Sequence, residues 1–340
     1  MLEHGGRLLA AARQYGIPLA DWLDLSTGIS PRSWLDDHAF APSVASWQRL
    51  PEDDDALPAA AQACYGAAAL PVAGSQAAIQ ALPWRRAPGR VGLLANSYAE
   101  HAHHWQRAGH SLVMLKPGDI DAAIGQLDVL LLVHPDNPSG QCHERAQLLR
   151  WHAQLAARGG WLVLDEAFID ASPAQSLAGE SHREGLIVLR SLGKFFGLAG
   201  ARVGFVLAPE ALRAALGENL GPWTLSGPAR QLATLALGDR DWQRQQTAWL
   251  GAASQRLAAL MTSAGLEPDG GCALFQWLQS PLAAHWHQAL AAQGVLTRLY
   301  REPGSLRLGL PAHEADWLRL QRALQTLQSR SGAPGGKNPR

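Results

Sequence analysis

The segment from about residue 70 to residue 210 alternates short apolar runs with helical patterns. One run, Val129-Leu130-Leu131-Leu132-Val133, has no polar position, which is typical of a strand buried on both faces. Strands are predicted at 91–95, 111–115, 129–134, 161–165, 186–191 and 203–208, and helices at 75–82, 98–108, 144–158 and 209–216. The alternation predicts an α/β fold with a mostly parallel sheet flanked by helices.

After about residue 216 the pattern changes to longer amphipathic helices, predicted at 229–237, 242–264, 282–293 and 314–328. Strands are predicted between them at 274–278, 295–300 and 306–310. We therefore expect a large domain over 46–216 and a smaller α+β domain over 217–328. Residues 1–45 are expected to contribute to the small domain and to the substrate site. Residues 329–340, rich in Gly and Pro, are expected to form a disordered tail.

Charge and cysteine content favour a small-molecule function. Lys plus Arg and Asp plus Glu number 29 each, so the net charge of zero gives no electrostatic case for a nucleic acid or membrane partner. The start of the chain lacks the apolar core of a signal peptide, and no later run approaches the ~18 apolar residues of a membrane span. Three scattered cysteines suggest reduced thiols in a cytoplasmic protein, without a disulfide framework or a metal site.

Polar residues follow three of the predicted strands. Asn137 follows the first of these strands, Asp165 ends the second, and Ser191, Lys194 and Arg202 follow the third. A further segment, Gly74-Ser75-Gln76, opens a predicted helix. Ligands of open parallel sheets bind outside the carboxyl ends of the strands, so these residues are expected to lie close together.

Each of these residues also has an ordinary explanation. Asn137-Pro138 is a turn former, Asp165 is a possible cap, and a lone lysine is most often a solvated surface amine. Lys194 is unusual, because only three lysines occur in the chain and this one is followed by two phenylalanines. Together the residues offer an amine for an aldehyde, a carboxylate for a ring nitrogen, an amide for a ring oxygen and donors for a phosphate. That combination predicts a pyridoxal 5'-phosphate site.

Three motifs resemble those of the aspartate-aminotransferase-fold superfamily, fold type I of the pyridoxal-phosphate enzymes. They are Asp136-Asn137-Pro138-Ser139-Gly140, Asp165-Glu166-Ala167-Phe168 and Ser191-Leu192-Gly193-Lys194. The opening His4-Gly5-Gly6 and the segments 23–31 and 47–55 are similar to one branch of that superfamily. The branch contains histidinol-phosphate aminotransferases and the threonine-phosphate decarboxylases of cobalamin biosynthesis.

The resemblance implies a role for each residue of the cofactor site. Lys194 would bind the cofactor covalently through its amine, Asp165 would pair with the pyridine nitrogen, and Asn137 would bind the phenolic oxygen. The phosphate would be held by Ser75, Gln76, Ser191 and Arg202.

An aromatic residue that stacks on the cofactor ring is expected near residues 96–101. The register of the motif favours His101 for this role, with Tyr98 as its neighbour. A metal site formed by His101, His103 and His104 is the rival reading. It is disfavoured, because this spacing does not bring all three side chains to one helix face.

The chain departs from the branch at two positions. Phe168 stands where many members have a tyrosine that also contacts the phenolic oxygen, so that hydrogen bond is expected to be missing. Leu50 stands where a relative has a tyrosine that reaches the phosphate of the partner subunit. The resemblance also implies a homodimer, by analogy with the superfamily.

The substrate site implied by the resemblance centres on arginine. Arg307 matches the late-strand arginine that holds a substrate carboxylate. Arg298, with His4, Gly5 and Gly6, is a candidate for a side-chain phosphate. A surface arginine and an unstructured start are the alternatives. Further residues expected at the substrate are Thr27, Gly28 and Asn137.

The activity implied is decarboxylation of L-threonine O-3-phosphate to (R)-1-amino-2-propanol O-2-phosphate. An aminotransferase acting on histidinol phosphate or an aromatic amino acid is the alternative, with Lys194 as its proton shuttle. A non-catalytic scaffold that retains the fold is a third reading. It is disfavoured, because a scaffold has no physical need for a complete cofactor site.

Overall fold

The computed structural model describes residues 4–331. The strands are β1 (Leu23–Asp24), β2 (Ala69–Val72), β3 (Arg90–Leu94), β4 (Ser111–Leu115), β5 (Val129–Val133), β6 (Trp161–Asp165), β7 (Leu186–Ser191), β8 (Gly204–Leu207), β9 (Gly270–Cys272), β10 (Phe275–Gln279), β11 (Val295–Leu296), β12 (Arg298–Tyr300) and β13 (Ser305–Gly309). The helices are α1 (Leu8–Tyr15), α2 (Trp34–Asp37), α3 (Val44–Gln48), α4 (Leu57–Tyr65), α5 (Ser75–Ala81), α6 (Ala99–Arg107), α7 (Ile120–Ala123), α8 (Arg145–Ala156), α9 (Glu210–Leu220), α10 (Gly227–Gly238), α11 (Arg240–Ser263), α12 (Ala283–Ala291) and α13 (Glu314–Ser331). No helix in this described part is long and apolar enough to cross a membrane.

The chain divides into two compact units. The large unit comprises Arg32–Leu250, and the small unit joins residues 4–31 to residues 251–331. The sequence analysis placed the boundaries near residues 45 and 216 instead. The first boundary differs because the segment after residue 31 is attached to the large unit, where Trp34 N donates to Phe196 O at 2.9 Å. The second differs because α10 packs on α4 and because Arg230 of α10 binds Asp55 through both carboxylate oxygens, at 2.7 Å each. Residues 217–250 therefore belong to the large unit.

The large unit is built on a seven-stranded sheet in the order β2-β8-β7-β6-β5-β3-β4. Strands β3 to β7 pair in parallel, whereas β8 runs antiparallel to both β7 and β2. Every residue of β5 and β7 is buried, as expected for strands covered on both faces. The predicted α/β fold with a mostly parallel sheet is confirmed.

Strand β2 was not predicted, and its sequence explains why. It has only four residues, and Pro71 in its middle has no amide hydrogen to donate to a neighbouring strand. The strand lies at the edge of the sheet, where it pairs with β8 alone. A proline is tolerated there, although it argues against a central strand.

The small unit contains an antiparallel sheet in the order β12-β13-β10-β9 and a parallel pair formed by β1 and β11. Helices α12 and α13 pack together beside these strands. The strand predicted at 295–300 is two strands, because Thr297 lies between β11 and β12. Helix α13 extends to Ser331, so residues 329–331 of the predicted tail are helical. The rest of that tail, with Lys337, lies outside the described residues.

Candidate active site

The large unit contains a cavity of about 180 Å³ at the carboxyl ends of β5, β6 and β7, which we call the sheet-edge cavity. Seven of the residues predicted to hold the cofactor line it: Ser75, Gln76, Asn137, Asp165, Ser191, Lys194 and Arg202. They come from five separate segments of the chain. The fold therefore brings together the amine, carboxylate, amide and phosphate donors that the sequence analysis grouped.

Lys194 is held in a tight loop after β7. The loop is closed by two backbone hydrogen bonds, from Leu192 N to Val203 O at 3.1 Å and from Leu198 N to Leu192 O at 3.2 Å. Phe195, directly after the lysine, is buried, and its carbonyl accepts a 2.9 Å hydrogen bond from Gln246 Nε2. These contacts anchor the backbone on both sides of the lysine, whose side chain lines the cavity.

Phe168 also lines the sheet-edge cavity. Its ring centroid lies 5.5 Å from Nζ of Lys194, within the range of a cation–π contact. A phenylalanine has no hydroxyl, so this position offers no hydrogen bond to a phenolic oxygen.

The carboxylate of Asp165 is bound at both oxygens. Oδ1 accepts a 3.1 Å hydrogen bond from Ala167 N, and Oδ2 lies 2.8 Å from Nε2 of His101. Both side chains are almost fully buried, at 4% and 2% exposure. The carboxylate therefore cannot rotate without losing a buried partner.

This contact corrects the placement of His101. The residue was expected to stack on the cofactor ring, but it lies behind Asp165 and is not among the described residues that line the cavity. Tyr98 lines the cavity instead. The cause is the start of α6: Tyr98 is the last residue before the helix, and His101 is in its first turn, with the two ring centroids 6.0 Å apart.

The loop that carries Asn137 is organised by Asp136, a residue whose role the sequence analysis missed. The buried Asp136 carboxylate accepts hydrogen bonds from Ser97 Oγ at 2.5 Å and Ser139 Oγ at 2.6 Å. Burial raises the pKa of Asp136, and the two hydroxyl groups oppose that rise. The peptide bond between Asn137 and Pro138 is cis. The sequence did contain a signal for this role, because an aspartate followed three residues later by a serine in a Pro-containing turn indicates a side chain that holds the turn together.

The phosphate end of the cavity depends on close backbone packing. A Cβ atom at Gly74 would lie 2.6 Å from Nη2 of Arg202, and one at Gly204 would lie 2.4 Å from the amide nitrogen of Ser75. Gly74 also has a φ of 71°, which favours glycine. Gln76 donates from Nε2 to Glu100 Oε2 at 2.7 Å, which fixes its side chain.

The residues present fit pyridoxal phosphate. The cavity combines a lysine amine, a carboxylate buttressed by a buried histidine, an amide, and a glycine-bounded recess with an arginine and two serines. Among the described residues, no group of three or more His, Cys, Asp and Glu side chains is arranged to hold a metal. His104, one of the three clustered histidines, lies 3.1 Å from Glu100 Oε2 instead.

A buried ion-pair network lies beneath the carboxyl ends of β6 and β7. Glu166 is fully buried and accepts from Nη1 of Arg190 at 3.0 Å and from Ser176 Oγ at 2.5 Å. Arg190 also pairs with Asp170. Burial raises the pKa of Glu166, and the charge of Arg190 opposes that rise. The network supports the strand ends that carry Asp165 and Ser191.

The small unit has a second cavity, of about 260 Å³, which we call the basic cavity. Its basic side chains are His4, Arg7, His287, Arg298 and Arg301. Gly5 and Gly6 also line it, and Gly6 N donates to Ser26 Oγ at 2.8 Å. The structure thus joins His4, Gly5 and Gly6 to Arg298, as the sequence analysis grouped them. The participation of His287 and Arg301 was not anticipated.

Arg307 lies on β13 in the small unit and is 4% exposed. Its Nη2 donates to the carbonyl of Ser26 at 2.8 Å, and its guanidinium lies 5.0 Å from the ring centroid of Phe275. Ser26 lines the basic cavity. Thr27 and Gly28 follow it in sequence, but they are not among the described residues that line that cavity.

Comparison with known proteins places these features in a family. Residues 66–326 match the family "aminotransferase class I and II". The chain is 58% identical to the threonine-phosphate decarboxylase of Pseudomonas aeruginosa, over 95% of this chain and 97% of that protein. It is 39% identical to the threonine-phosphate decarboxylase of a Sinorhizobium species, over 96% of this chain and 98% of that protein. A crystal structure of a Sinorhizobium meliloti histidinol-phosphate aminotransferase with pyridoxal phosphate has a TM-score of 0.79 at 20% identity, covering 97% of this chain and 96% of that one.

Proposed function

The chain belongs to the class I and II aminotransferase family, and we propose that it decarboxylates L-threonine O-3-phosphate to (R)-1-amino-2-propanol O-2-phosphate in cobalamin biosynthesis. Its cofactor is pyridoxal phosphate. The observation that carries the choice of reaction is the 58% identity to a threonine-phosphate decarboxylase across 95% of the chain.

The residues of the sheet-edge cavity hold the cofactor. Lys194 would bind it covalently through Nζ, and the carboxylate of Asp165 would pair with the pyridine nitrogen. Asn137 binds the phenolic oxygen, and Tyr98 lies against the ring. The phosphate is held by Ser75, Gln76, Ser191 and Arg202. When bound, pyridoxal phosphate supplies an electron-accepting ring that stabilises negative charge on the α-carbon of the substrate.

The chain contributes charge and proton transfer to the reaction. His101 Nε2 lies 2.8 Å from Oδ2 of Asp165 in a buried site, and this contact holds the carboxylate in the orientation that a ring nitrogen would meet. Nζ of Lys194 delivers a proton to the α-carbon after carbon dioxide leaves. The loop bonds around Lys194 hold its backbone at the edge of the cavity, from which the side chain reaches the reacting atoms.

Arginines of the small unit bind the two anionic groups of the substrate. Arg307 binds the carboxylate, and its hydrogen bond to Ser26 O fixes the plane of the guanidinium. Arg298, His4, Gly5 and Gly6 bind the phosphate, since they line one basic cavity.

The test is to mix the holoenzyme with L-threonine O-3-phosphate in the absence of any keto acid. We expect one carbon dioxide released per aminopropanol phosphate formed, over many turnovers, with the starting absorbance spectrum recovered at the end. An aminotransferase would behave differently, because it would stop after one turnover with its cofactor in the amine form. If threonine phosphate released no carbon dioxide, and histidinol phosphate converted the cofactor to its amine form, the protein would be an aminotransferase and the proposed activity would be wrong.

We also propose that the protein is a homodimer. The support is a stretch of exposed apolar side chains at and after α3, where Val44, Trp47 and Leu50 are 69%, 67% and 63% exposed. Clustered apolar residues of this kind mark protein interfaces. Sedimentation velocity at micromolar protein would show a mass of two chains, and a single-chain mass would overturn the proposal.

A cytoplasmic location is proposed for the protein. Cys64, Cys142 and Cys272, which all lie in the described part of the chain, form no disulfide, and this is typical of a reducing compartment. Cell fractionation tests this: decarboxylase activity should accompany a cytoplasmic marker enzyme, and recovery with a periplasmic marker would contradict it.

A further inference from the structure

The basic cavity has more basic side chains than the two, Arg298 and His4, that are assigned above to the substrate phosphate. Besides Arg298 and His4 it is lined by Arg7, Arg301 and His287. No aspartate or glutamate is among the residues of the described chain that line it. Such a cavity favours a multiply charged anion over a singly charged one.

His287 is held in this cavity by a defined contact. It lies on α12, and its Nδ1 is 2.8 Å from Oγ1 of Thr297, which is 2% exposed. Because Nδ1 is engaged by the threonine, Nε2 is the ring nitrogen left to meet a ligand. The contact therefore orients the imidazole as well as joining α12 to the turn between β11 and β12.

The charges around His287 control its protonation. Burial lowers the pKa of His287, and the nearby charges of Arg301 and Arg298 lower it further. The other charged or titratable groups on the neighbouring elements are His4, Arg7 and Tyr15 of the N-terminal segment, His285 on α12, Tyr300 on β12, Arg307 on β13, and Glu314, Asp316, Arg319 and Arg322 on α13. Asp24 contacts a lining residue of the cavity, since its Oδ1 accepts a hydrogen bond from Ser26 Oγ at 2.6 Å. The cationic surroundings favour the neutral ring until an anion arrives.

We propose that His287 is a binding residue for the dianionic phosphate monoester of the substrate, and that it takes up a proton when the dianion binds beside Arg298 and Arg301. This inference rests on the proposed function, since it names a further residue for the same substrate. The proton comes from solvent, and no bond of the ligand is broken. Two negative charges offset the positive potential of Arg298 and Arg301, so protonation of the ring becomes favourable and the imidazolium is a charge-assisted donor to a phosphate oxygen.

The consequence is selectivity for a phosphorylated side chain. A free hydroxyl group has no charge to draw the proton, so unphosphorylated threonine gains nothing from His287. A hydrogen bond to a charged group is worth roughly tenfold or more in affinity. His287 should thus contribute to KM for threonine phosphate and little to kcat.

The direct test measures proton uptake by calorimetry on the holoenzyme, whose cofactor already occupies the other phosphate site. Sulfate is the probe, because it remains a dianion near neutral pH and cannot exchange a proton itself. Binding heats in two buffers of different ionisation enthalpy give the number of protons taken up. We expect a substantial fraction of a proton for the wild type and for His285→Asn, the matched control on the exposed part of α12, and none for His287→Asn.

Several results would overturn the inference. They are absence of sulfate and inorganic phosphate binding, binding without proton uptake, and uptake that persists in His287→Asn but is lost in His4→Asn. Asparagine keeps an amide near Nδ1 for Thr297, which favours folding of the variant. If the variant still fails to fold, the histidine ring signals of the wild type can be followed by NMR during titration with sulfate. We expect the signal of one ring to shift towards the protonated form, and no such shift would overturn the inference.

Kinetics separate this inference from the proposed function. For the wild type, KM for threonine phosphate should increase from pH 6 to pH 8, as His287 becomes harder to protonate. For His287→Asn, KM should be about tenfold higher and should no longer increase over that pH range, while kcat changes less than about twofold. His287→Gln, whose longer amide can reach the Nε2 position, should recover part of the affinity without the pH dependence. Decarboxylation with an unchanged KM in both variants would overturn the role of His287 and leave the activity intact. Proton uptake on sulfate binding in a protein that does not decarboxylate threonine phosphate would overturn the proposed activity and keep the anion-binding role of His287.

Discussion

His101 Nε2 lies 2.8 Å from Oδ2 of Asp165, and both side chains are almost entirely buried. One carboxylate oxygen is thereby committed to the histidine, while the residue as a whole still lines the sheet-edge cavity. The histidine acts on the reaction through Asp165, which makes it a positioning residue. Its contribution should appear in the chemistry more than in substrate binding.

Replacement of His101 by asparagine should lower kcat for carbon dioxide release by roughly 10- to 100-fold, the effect of losing a hydrogen bond to a buried charge. KM should change little, because His101 does not line either cavity among the described residues. The absorbance of the bound cofactor should shift as well, since the carboxylate of Asp165 would lose one of the two contacts that hold it. His103→Asn, an exposed neighbour on α6, is the control and should leave both quantities unchanged. Equal kinetics in the two variants would contradict the role of His101.

The strand pattern was sufficient to predict the sheet and the edge at which the site lies. Three strands, Ser111–Leu115, Trp161–Asp165 and Leu186–Ser191, begin and end where the apolar runs do. Continuous apolar runs of about five residues that alternate with helical patterns are typical of strands covered on both faces. Strand β2 could not be predicted, because Pro71 argues against a central strand and four residues alone do not show that the strand lies at the edge of the sheet.

Side-chain direction was the part that sequence could not provide. Tyr98 and His101 are three residues apart, and which of them faces the cavity depends on where α6 begins, at Ala99. The same limit applies to His287: a single histidine on an amphipathic helix is most often a packing residue. Only its contact with Thr297 and the shared cavity with Arg298 and Arg301 distinguish it.

Gly74→Ala should weaken cofactor binding. The added Cβ would lie 2.6 Å from Nη2 of Arg202, and the φ of 71° disfavours alanine, so either Arg202 or the start of α5 must move. We expect about 1–2 kcal/mol less stability and at least a tenfold higher dissociation constant for pyridoxal phosphate, measured by fluorescence titration of the apoenzyme. Gly200→Ala is the matched control, because a Cβ there has no neighbour within 4 Å. Normal affinity in Gly74→Ala would show that this close approach is not needed.

His134 should make the protein sensitive to mild acid. Burial lowers its pKa from 6.5 to about 4, and its Nδ1 accepts from His143 N at 3.4 Å. Above pH 6.5 the ring is neutral in both the folded and the unfolded chain. As pH falls from 6.5 to 4, only the unfolded chain takes up the proton, so this residue lowers the free energy of unfolding by about 3 kcal/mol.

Urea unfolding of the wild type and His134→Asn at pH 7 and pH 4 tests this. The variant should lose about 3 kcal/mol less than the wild type over that range, because it has no titrating ring at this position. His182→Asn, which removes an exposed ring, should follow the wild type. If the free energy of unfolding fell equally in the wild type and in His134→Asn, the acid sensitivity would come from groups other than His134.

The last prediction concerns the ion pair beneath the strand ends. Glu166→Gln keeps the shape of the side chain but leaves the buried Arg190 with Asp170 as its one acidic partner among the described residues. Removing one member of a buried pair costs about 3–5 kcal/mol, because the other charge remains out of water. The free energy of unfolding from urea titration should fall by that amount. By contrast, Glu314→Gln breaks an exposed pair with Arg256 and should have no measurable effect, since water solvates both groups equally well. Equal stability of the two variants would mean that Arg190 needs Asp170 alone to hold the ends of β6 and β7.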